Sequence, residues 1–266
     1  MSQVFIRKHP IFPEFCPAKT RKELIFSMEL PVFFAKDLAS DAASYIMDEP
    51  TSKYCIQVLR REKGQQVLLA NGRGQKFTAR ITDDNRKKCE VQIEQCETVP
   101  APSPALRIAI AFTKNASRIE WFLEKATEIG ISGIIPLLSQ RTEKEKLKQE
   151  RLENILVSAM LQSQQYYLPE LSAPVAFDKL VQENNTSQLF IAHCLPEQKL
   201  HLQQAMQAGK DTLMLIGPEG DFTPAEVSLA LEKGFQPVSL GNTRLRTETA
   251  GVVACVLMKA VNDVRI

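Results

Sequence analysis

A short run of prolines divides this chain into two stretches that obey different patterning rules. Val99-Pro-Ala-Pro-Ser-Pro104 places three prolines in six residues, and such a segment is stiff, extended and unable to continue a helix or a strand ladder. Ahead of it, short apolar runs alternate with polar residues at the period of strands. Beyond it, apolar runs are separated by stretches of helical period. That grammar predicts a small all-β module over 28–98, a Pro-rich linker over 99–105 and an α/β domain over 106–266.

Residues 1–27 are expected to be an N-terminal extension, disordered or the product of an upstream in-frame start ahead of a natural beginning at Met28. They carry Arg7, Lys8, Lys19, Arg21 and Lys22 without an apolar core, and Pro10, Pro13 and Pro17 interrupt any helix. This is not the pattern of a secretory signal. The apolar stretch Ala250 to Val261 is broken by Lys259 and is too short to span a bilayer. Six cysteines without a C-x-x-C pair and three histidines without H-x₃₋₅-H do not make a zinc site, so no metal is expected. A disulfide framework is equally unsupported, which points to a reducing cytoplasm.

In the β module, Gln66–Ala70 and Lys76–Ile81 flank Asn71-Gly72-Arg73-Gly74, a hairpin signal, and Cys89–Cys96 alternates as a half-buried strand. Ser52–Leu59 is expected as one short helix. From Lys53 to Lys88 there are ten basic residues against three acidic ones, while the whole chain has a net charge of only +2. A basic module on a mildly acidic body suits phosphate backbones, and solvated charge on strand faces is the competing explanation.

After the linker, strands are predicted at Arg107–Phe112, Gly133–Leu138, Leu189–Ala192, Leu213–Ile216 and Phe235–Leu240. Helices are predicted at Asn115–Ile129, Glu150–Ser163, about Glu197–Ala208 and Glu248–Val261, with another after Phe222. For that one, Thr223-Pro224-Ala225-Glu226 reads as a capping box with Pro at the first helical position, and Gly234 closes it. Alternation of this kind makes a mostly parallel sheet covered on both faces.

Ligands of such sheets sit at the carboxyl ends of strands, and two turns stand out there. In Ile216-Gly217-Pro218-Glu219-Gly220-Asp221-Phe222, two glycines bracket Pro218-Glu219 directly after a buried strand; this is either a ligand loop or a tight βα turn. In Leu240-Gly241-Asn242-Thr243-Arg244-Leu245-Arg246-Thr247-Glu248, two arginines lie between an apolar strand and an apolar helix. They meet phosphate or carboxylate, or Arg246 pairs internally with Glu248. There is no G-x-G-x-x-G after a strand, no P-loop and no G-x-S-x-G. His193, at a strand end, reads as a packed or solvated histidine bordering a site, and Cys194 as a small buried residue.

These two turns, with Glu120-Trp121-Phe122-Leu123-Glu124-Lys125-Ala126-Thr127-Glu128-Ile129-Gly130 and Cys55-Ile56-Gln57-Val58-Leu59-Arg60 upstream, resemble the bacterial 16S ribosomal RNA uracil-N3-methyltransferases of the SPOUT (trefoil-knot) superfamily. The resemblance spans Met28 to the end. It implies an α/β trefoil-knot methyltransferase domain behind a PUA-like or OB-like β-barrel, with S-adenosylmethionine as cofactor. One departure is clear: where the family reads E-A-x-x-Q-S-x-R, this chain has Ser158-Ala159-Met160-Leu161-Gln162-Ser163-Gln164-Gln165, which leaves one RNA or dimer contact in question.

By the same resemblance, the donor site comprises Ile191, His193, Ile216, Gly217, Pro218, Glu219, Gly220, Leu240, Gly241, Asn242 and Leu245. RNA contacts are implied for Arg60, Arg61, Arg86, Lys87, Lys114, Arg118, Gln162 and Arg244. Arg246, Glu248 and Glu219 are the candidate catalytic residues: uracil N3 must lose an imide proton, which asks for a base or a cation beside the developing charge. The implied partners are the 16S rRNA of the small ribosomal subunit and a second copy of the chain, joined through the knot. Bulk at Gly220, as in Gly220→Val, is expected to enter the donor pocket. Two other readings stay open: a SPOUT ribose 2′-O-methyltransferase acting on tRNA or rRNA, and a non-catalytic RNA-binding assembly factor.

Overall fold

In the computed structural model, which describes residues 30–143 and 148–263, two sheets follow one another along the chain. The expectations for residues 1–27 lie outside the described residues. The first sheet is built from β1 (Val32–Phe34), β2 (Ser44–Ile46), β3 (Gln66–Ala70), β4 (Gln75–Asp83) and β5 (Glu90–Thr98), in the order β1-β3-β4-β5-β2. β1 pairs with β3 in parallel and the other pairs are antiparallel. Alternate residues Val67, Leu69, Phe77, Ala79, Ile81 and Val91 point inward to a core with Phe33, Leu38 and Met47, as the period of two requires.

The helix expected over Ser52–Leu59 starts earlier, as α1 (Glu49–Lys53), and ends as a π-helical turn over Tyr54–Val58. Asp48 starts α1 by accepting from Thr51 N at 2.8 Å, with Pro50 in the first turn. Buried Ser52 joins this helix to the sheet: its hydroxyl donates to Met47 O and accepts from Cys89 N.

The second sheet contains β6 (Leu106–Ile110), β7 (Gly133–Leu138), β8 (Glu170–Leu171), β9 (Val175–Ala176), β10 (Gln188–Ala192), β11 (Leu200–His201), β12 (Thr212–Ile216) and β13 (Gln236–Ser239). Their order is β11-β13-β10-β12-β6-β7-β8, with β9 also on β7, and every pair is parallel. Along the chain the helices are α2 (Ala116–Ile129), α3 (Gln149–Gln162), α4 (Phe177–Glu183), α5 (Leu202–Ala205), α6 (Pro224–Glu232) and α7 (Thr247–Asp263). Ile108, Ile110, Met214 and Ile216 face one layer with Phe122, Leu123, Leu156 and Met258. Ala109, Leu213 and Leu215 face the other with Phe177, Val181 and Val227. β12 is buried along its whole length, so both faces of the sheet are covered, as parallel strands demand.

Helix ends follow the anticipated chemistry closely at α6, where Thr223 and Glu226 form a reciprocal capping box. Glu226 also accepts from Gln140 N at 2.7 Å, fastening α6 to the loop after β7. α2 closes on Gly130 at φ 90°, and Gln165 Nε2 donates to Thr127 O and Glu128 O at the same helix end. Gln165, one of the two departures from the family pattern, therefore serves as a cap for α2. Ser158, the other, bonds back to Asn154 O within α3.

The helix expected over about Glu197–Ala208 is a correction. Only Leu202–Ala205 is helical, after the two-residue strand β11. Lys199 is drawn back to donate to His193 O at 2.8 Å and Leu195 O at 2.6 Å, so the segment is spent on closing a loop. Neither β8, β9 nor α4 was anticipated from the sequence.

The proline segment is bonded at both ends: Val99 N donates to Gly74 O, and Ala105 N to Asp211 Oδ1. The Asn71–Gly74 turn docks on Tyr166–Leu168 through Gly74 N to Tyr166 O and Leu168 N to Gly72 O. Gly74 has φ 85°, and a Cβ there would lie 2.2 Å from the Tyr167 ring. Gly74→Ala should therefore cost about 1–3 kcal/mol, lowering the melting temperature by roughly 2–4 °C per kcal/mol. Gly64→Ala, at φ 91° with nothing within 4 Å, isolates the cost of the dihedral. Equal losses in the two variants would show that the Tyr167 contact contributes nothing.

Candidate active site

Strands β13, β10 and β12 are neighbours in the sheet, so the loops leaving their carboxyl ends meet. Between them lies a cavity of about 710 Å³ lined by the β10 loop at His193 and Cys194, the β12 loop at Gly217, Pro218, Glu219 and Asp221, and residues 238–247. That volume suits a cofactor-sized ligand.

Asp221 ties two of these loops together. Its Oδ2 accepts from Cys194 N at 2.7 Å and its Oδ1 from Phe222 N at 2.8 Å. Its backbone is left-handed, at φ 63°, a conformation that aspartate tolerates better than most residues. A turn from Pro218 O to Asp221 N brings the carboxylate into place. Thr247, at the start of α7, donates its hydroxyl to Gly217 O at 3.1 Å and so fastens the third loop to the second. Asp221, Thr247 and Lys199 all line the cavity. Sequence reasoning did not select them, although the αL tolerance of Asp after Gly-x-x-Gly was a usable signal.

Gly217 is needed for packing: a Cβ would sit 3.2 Å from the Phe222 ring. Gly241, at φ 137°, has nothing within 4 Å of its Cβ position; its role is conformational, allowing the Ser239 hydroxyl to bond both its N–H and its carbonyl. The backbone N–H groups of Asn242, Thr243, Arg244 and Leu245 make no hydrogen bond with the described residues. All four residues line the cavity.

His193 is fully enclosed, with Nδ1 accepting from Leu195 N at 3.3 Å. Its Nε2 lies 2.8 Å from Glu197 Oε1 but off the line of a hydrogen bond. Burial, and after it the Lys199 ammonium, holds the imidazole below its usual range, which favours the neutral ring.

Most of the expected donor-site residues line this cavity: His193, Ile216, Gly217, Pro218, Glu219, Leu240, Gly241, Asn242 and Leu245. Ile191 does not. It alternates away from the cavity into the core with Leu213 and Leu215. Gly220 also lies outside: its carbonyl accepts from Arg141 Nη1, and a Cβ would meet the Arg141 side chain at 3.2 Å. Bulk at Gly220 would thus press on Arg141 and not fill the cavity. Cys194, expected to be buried, is exposed.

Arg246 and Arg244 are exposed on the cavity rim. The internal Arg246–Glu248 pair is replaced by another: Glu248 Oε1 faces Arg118 Nε at 3.5 Å. Lys114 pairs with Glu143, and Gln162 lies on the groove between α2 and α3, away from the cavity. In the first sheet, Arg80 is engaged by Glu94 and Gly64 O, Arg73 by Lys36 O and Leu38 O, and Lys53 by Glu49. Arg60, Arg86 and Lys87 are exposed and form no ion pair with the described residues, whereas Arg61 is half-buried.

Residues 100–259 match the RNA methyltransferase domain family, and residues 48–94 match the RNA methyltransferase PUA domain. The ribosomal RNA small subunit methyltransferase E of Synechocystis is 32% identical over 215 residues, covering 78% of this chain and 70% of that protein. Among solved structures, a probable rRNA-methyltransferase from Porphyromonas gingivalis superposes with a TM-score of 0.82 at 37% identity, covering 88% of this chain and 98% of the other. The ribosomal RNA small subunit methyltransferase E of Neisseria gonorrhoeae, bound to S-adenosyl methionine, gives 0.77 at 26% identity, with 88% and 98% covered.

Two outcomes follow from the cavity. Asp221→Asn keeps left-handed tolerance but has one oxygen for two backbone N–H groups. It should cost about 1–3 kcal/mol of stability and weaken S-adenosylmethionine binding roughly tenfold by calorimetry; unchanged affinity would remove Asp221 from the donor site. For His193, a folded pKa below the ordinary 6.5 leaves its contribution intact above that pH. The contribution is lost as the pH falls below 6.5 towards the depressed value, because the unfolded chain takes the proton first. Melting of the native protein should therefore fall more between pH 7 and pH 5 than melting of His193→Gln.

Proposed function

This chain belongs to the RNA methyltransferase family, and on that premise we propose that it methylates N3 of a specific uridine in 16S rRNA, with S-adenosylmethionine as the methyl donor. The observation that carries this reading is the cavity at the ends of β10, β12 and β13, where unpaired backbone donors and a left-handed glycine line a cofactor-sized space. Residues of this kind fit adenosine, which backbone N–H and C=O groups can read without charged side chains. When bound, the donor supplies an electrophilic methyl group on a sulfonium.

The chain's residues do the rest. Gly217, Pro218, Leu240, Gly241, Asn242 and Leu245 hold the donor, with the enclosed His193 at the floor. Arg246, exposed on the rim, places a guanidinium where an imide anion develops and stabilises it; Glu219, on the cavity wall, and Glu248, on a neighbouring hollow that shares Arg246, are the candidate carboxylates for the proton. Arg244 and the unpaired Arg60, Arg86 and Lys87 provide phosphate contacts that position RNA without reading sequence. A second copy of the chain, joined through the knotted region, completes the RNA site. No helix among the described residues is long and apolar enough to cross a membrane, and the reading places the enzyme in the cytoplasm with the small ribosomal subunit.

Nucleoside mass spectrometry of 16S rRNA tests this reading. A strain lacking the protein should lose one N3-methyluridine, and the purified chain should restore it on the undermethylated subunit. Loss of a 2′-O-methylated nucleoside would favour ribose methylation. No change in any nucleoside, with no saturable donor binding, would favour a non-catalytic assembly factor.

A further inference from the structure

A buried carboxylate oxygen beside the donor cavity has no partner. Glu248, on the first turn of α7, is only 6% exposed. Its Oε1 faces Arg118, but its Oε2 makes no hydrogen bond. Such an atom pays for desolvation without compensation and is an acceptor in want of a donor. Glu248 lines an open hollow of about 400 Å³, with Oε2 just beneath its surface, together with Ser117, Arg118, Trp121 and Arg246. Arg246 also lines the donor cavity, so the two spaces meet at one side chain.

We propose that this hollow is the subsite for the target base, in which Glu248 Oε2 accepts the imide proton and Arg118 positions the carboxylate. The proposal rests on the uracil reading above and names how that base is recognised. Uracil presents acceptor, donor, acceptor along O2, N3–H and O4. The hollow's lining offers the complement: one carboxylate acceptor on Glu248, the Arg246 guanidinium, and the start of α2 at Asn115 and Ser117. There Asn115 makes no side-chain cap, leaving the first N–H groups of the helix without that partner. Cytosine, with a lone pair at N3, would set acceptor against acceptor. Trp121 is 43% exposed and gives the extruded base an aromatic face for stacking.

In the step, the N3–H bond breaks and the proton forms an O–H bond on Glu248 Oε2. The electron pair left on N3 forms the new N–CH₃ bond, and the methyl–sulfur pair stays on sulfur as a thioether. Glu248 then returns its proton to water. Glu248 is thus a catalytic residue, and Arg118, acting through it, is a positioning residue.

The test is single-turnover methylation of undermethylated 30S subunits by the full chain from pH 6.5 to 9, with melting recorded for each variant. Glu248→Gln should be slower by roughly 10²–10⁴-fold at neutral pH. Its rate should rise about tenfold per pH unit as the imide ionises unaided, while the native enzyme responds more shallowly. Arg118→Lys should retain more activity than Arg118→Ala, and Trp121→Ala should raise KM for RNA roughly tenfold with a smaller change in kcat. A native rate for Glu248→Gln, or a defect constant with pH, overturns the proposal. Should Glu248→Gln unfold, an unchanged KM in Trp121→Ala overturns it instead. A native enzyme that makes no N3-methyluridine overturns the uracil reading itself, a result distinguishable from failure of the variants alone.

Discussion

A parallel sheet has to be covered on both faces, and most of this structure answers that requirement. All pairs in the second sheet are parallel, so its strands end at the same edge, and the loops that leave β10, β12 and β13 converge there. The central strand β12 is buried throughout, which leaves its loop little freedom at the base. In this second sheet the approach is tight at Gly251 in α7, where a Cβ would sit 2.7 Å from Ile110 and Phe122. This contact sets α7 hard against β6 and α2, and with it the position of Thr247 and Glu248 at the helix start. The donor cavity and the neighbouring hollow both depend on that placement.

Convergence alone would leave three loops side by side and free to move. Hydrogen bonds between them make the site: Asp221 accepts from the backbone of the β10 loop, Thr247 donates to the β12 loop, and Glu226 reaches the loop after β7. Each joins segments distant in sequence, and each uses a side chain whose own backbone is already held by a turn or a helix cap. Preorganisation of this kind places donors and charges before a ligand arrives, which is how an enzyme lowers reorganisation cost. The first sheet is held by similar means, through the Gly72–Gly74 turn and the bonded ends of the proline segment.

The electrostatics divide along the same lines. The basic stretch of the first module is partly consumed by the fold, since Lys53, Arg73, Lys76 and Arg80 all meet carboxylates or carbonyls. Arg60, Arg86 and Lys87 remain as exposed charge. One run of sequence therefore holds both internally paired charge and exposed unpaired charge, and only the folded contacts distinguish which residue is which.

Local patterning determined a good deal by itself. Gly133–Leu138 was legible to the residue, because a continuous apolar run between turn signals has one interpretation. The capping box at Thr223–Glu226 and the glycine end of α2 were legible because caps are written within four residues. The two glycine- and arginine-bearing turns were legible as loops at strand ends, and residues of both line the cavity. The 197–208 segment was misread because Lys199 spends its charge on carbonyls of a loop it closes, a contact that periodicity does not encode. Ile191 and Gly220 were expected in the donor site from the family resemblance, yet alternation along β10 turns one into the core and Arg141 packs on the other. The partner of Glu248 was equally out of reach: Arg118 is 130 residues away, and it competes for that carboxylate only because α2 and α7 pack together. The sequence alone therefore determined most of the longer strands and helices and the position of two turns at strand ends, for these follow from local propensity and spacing. Which side chains face the ligand was decided by tertiary structure, because that depends on contacts between segments the chain brings together only when it folds.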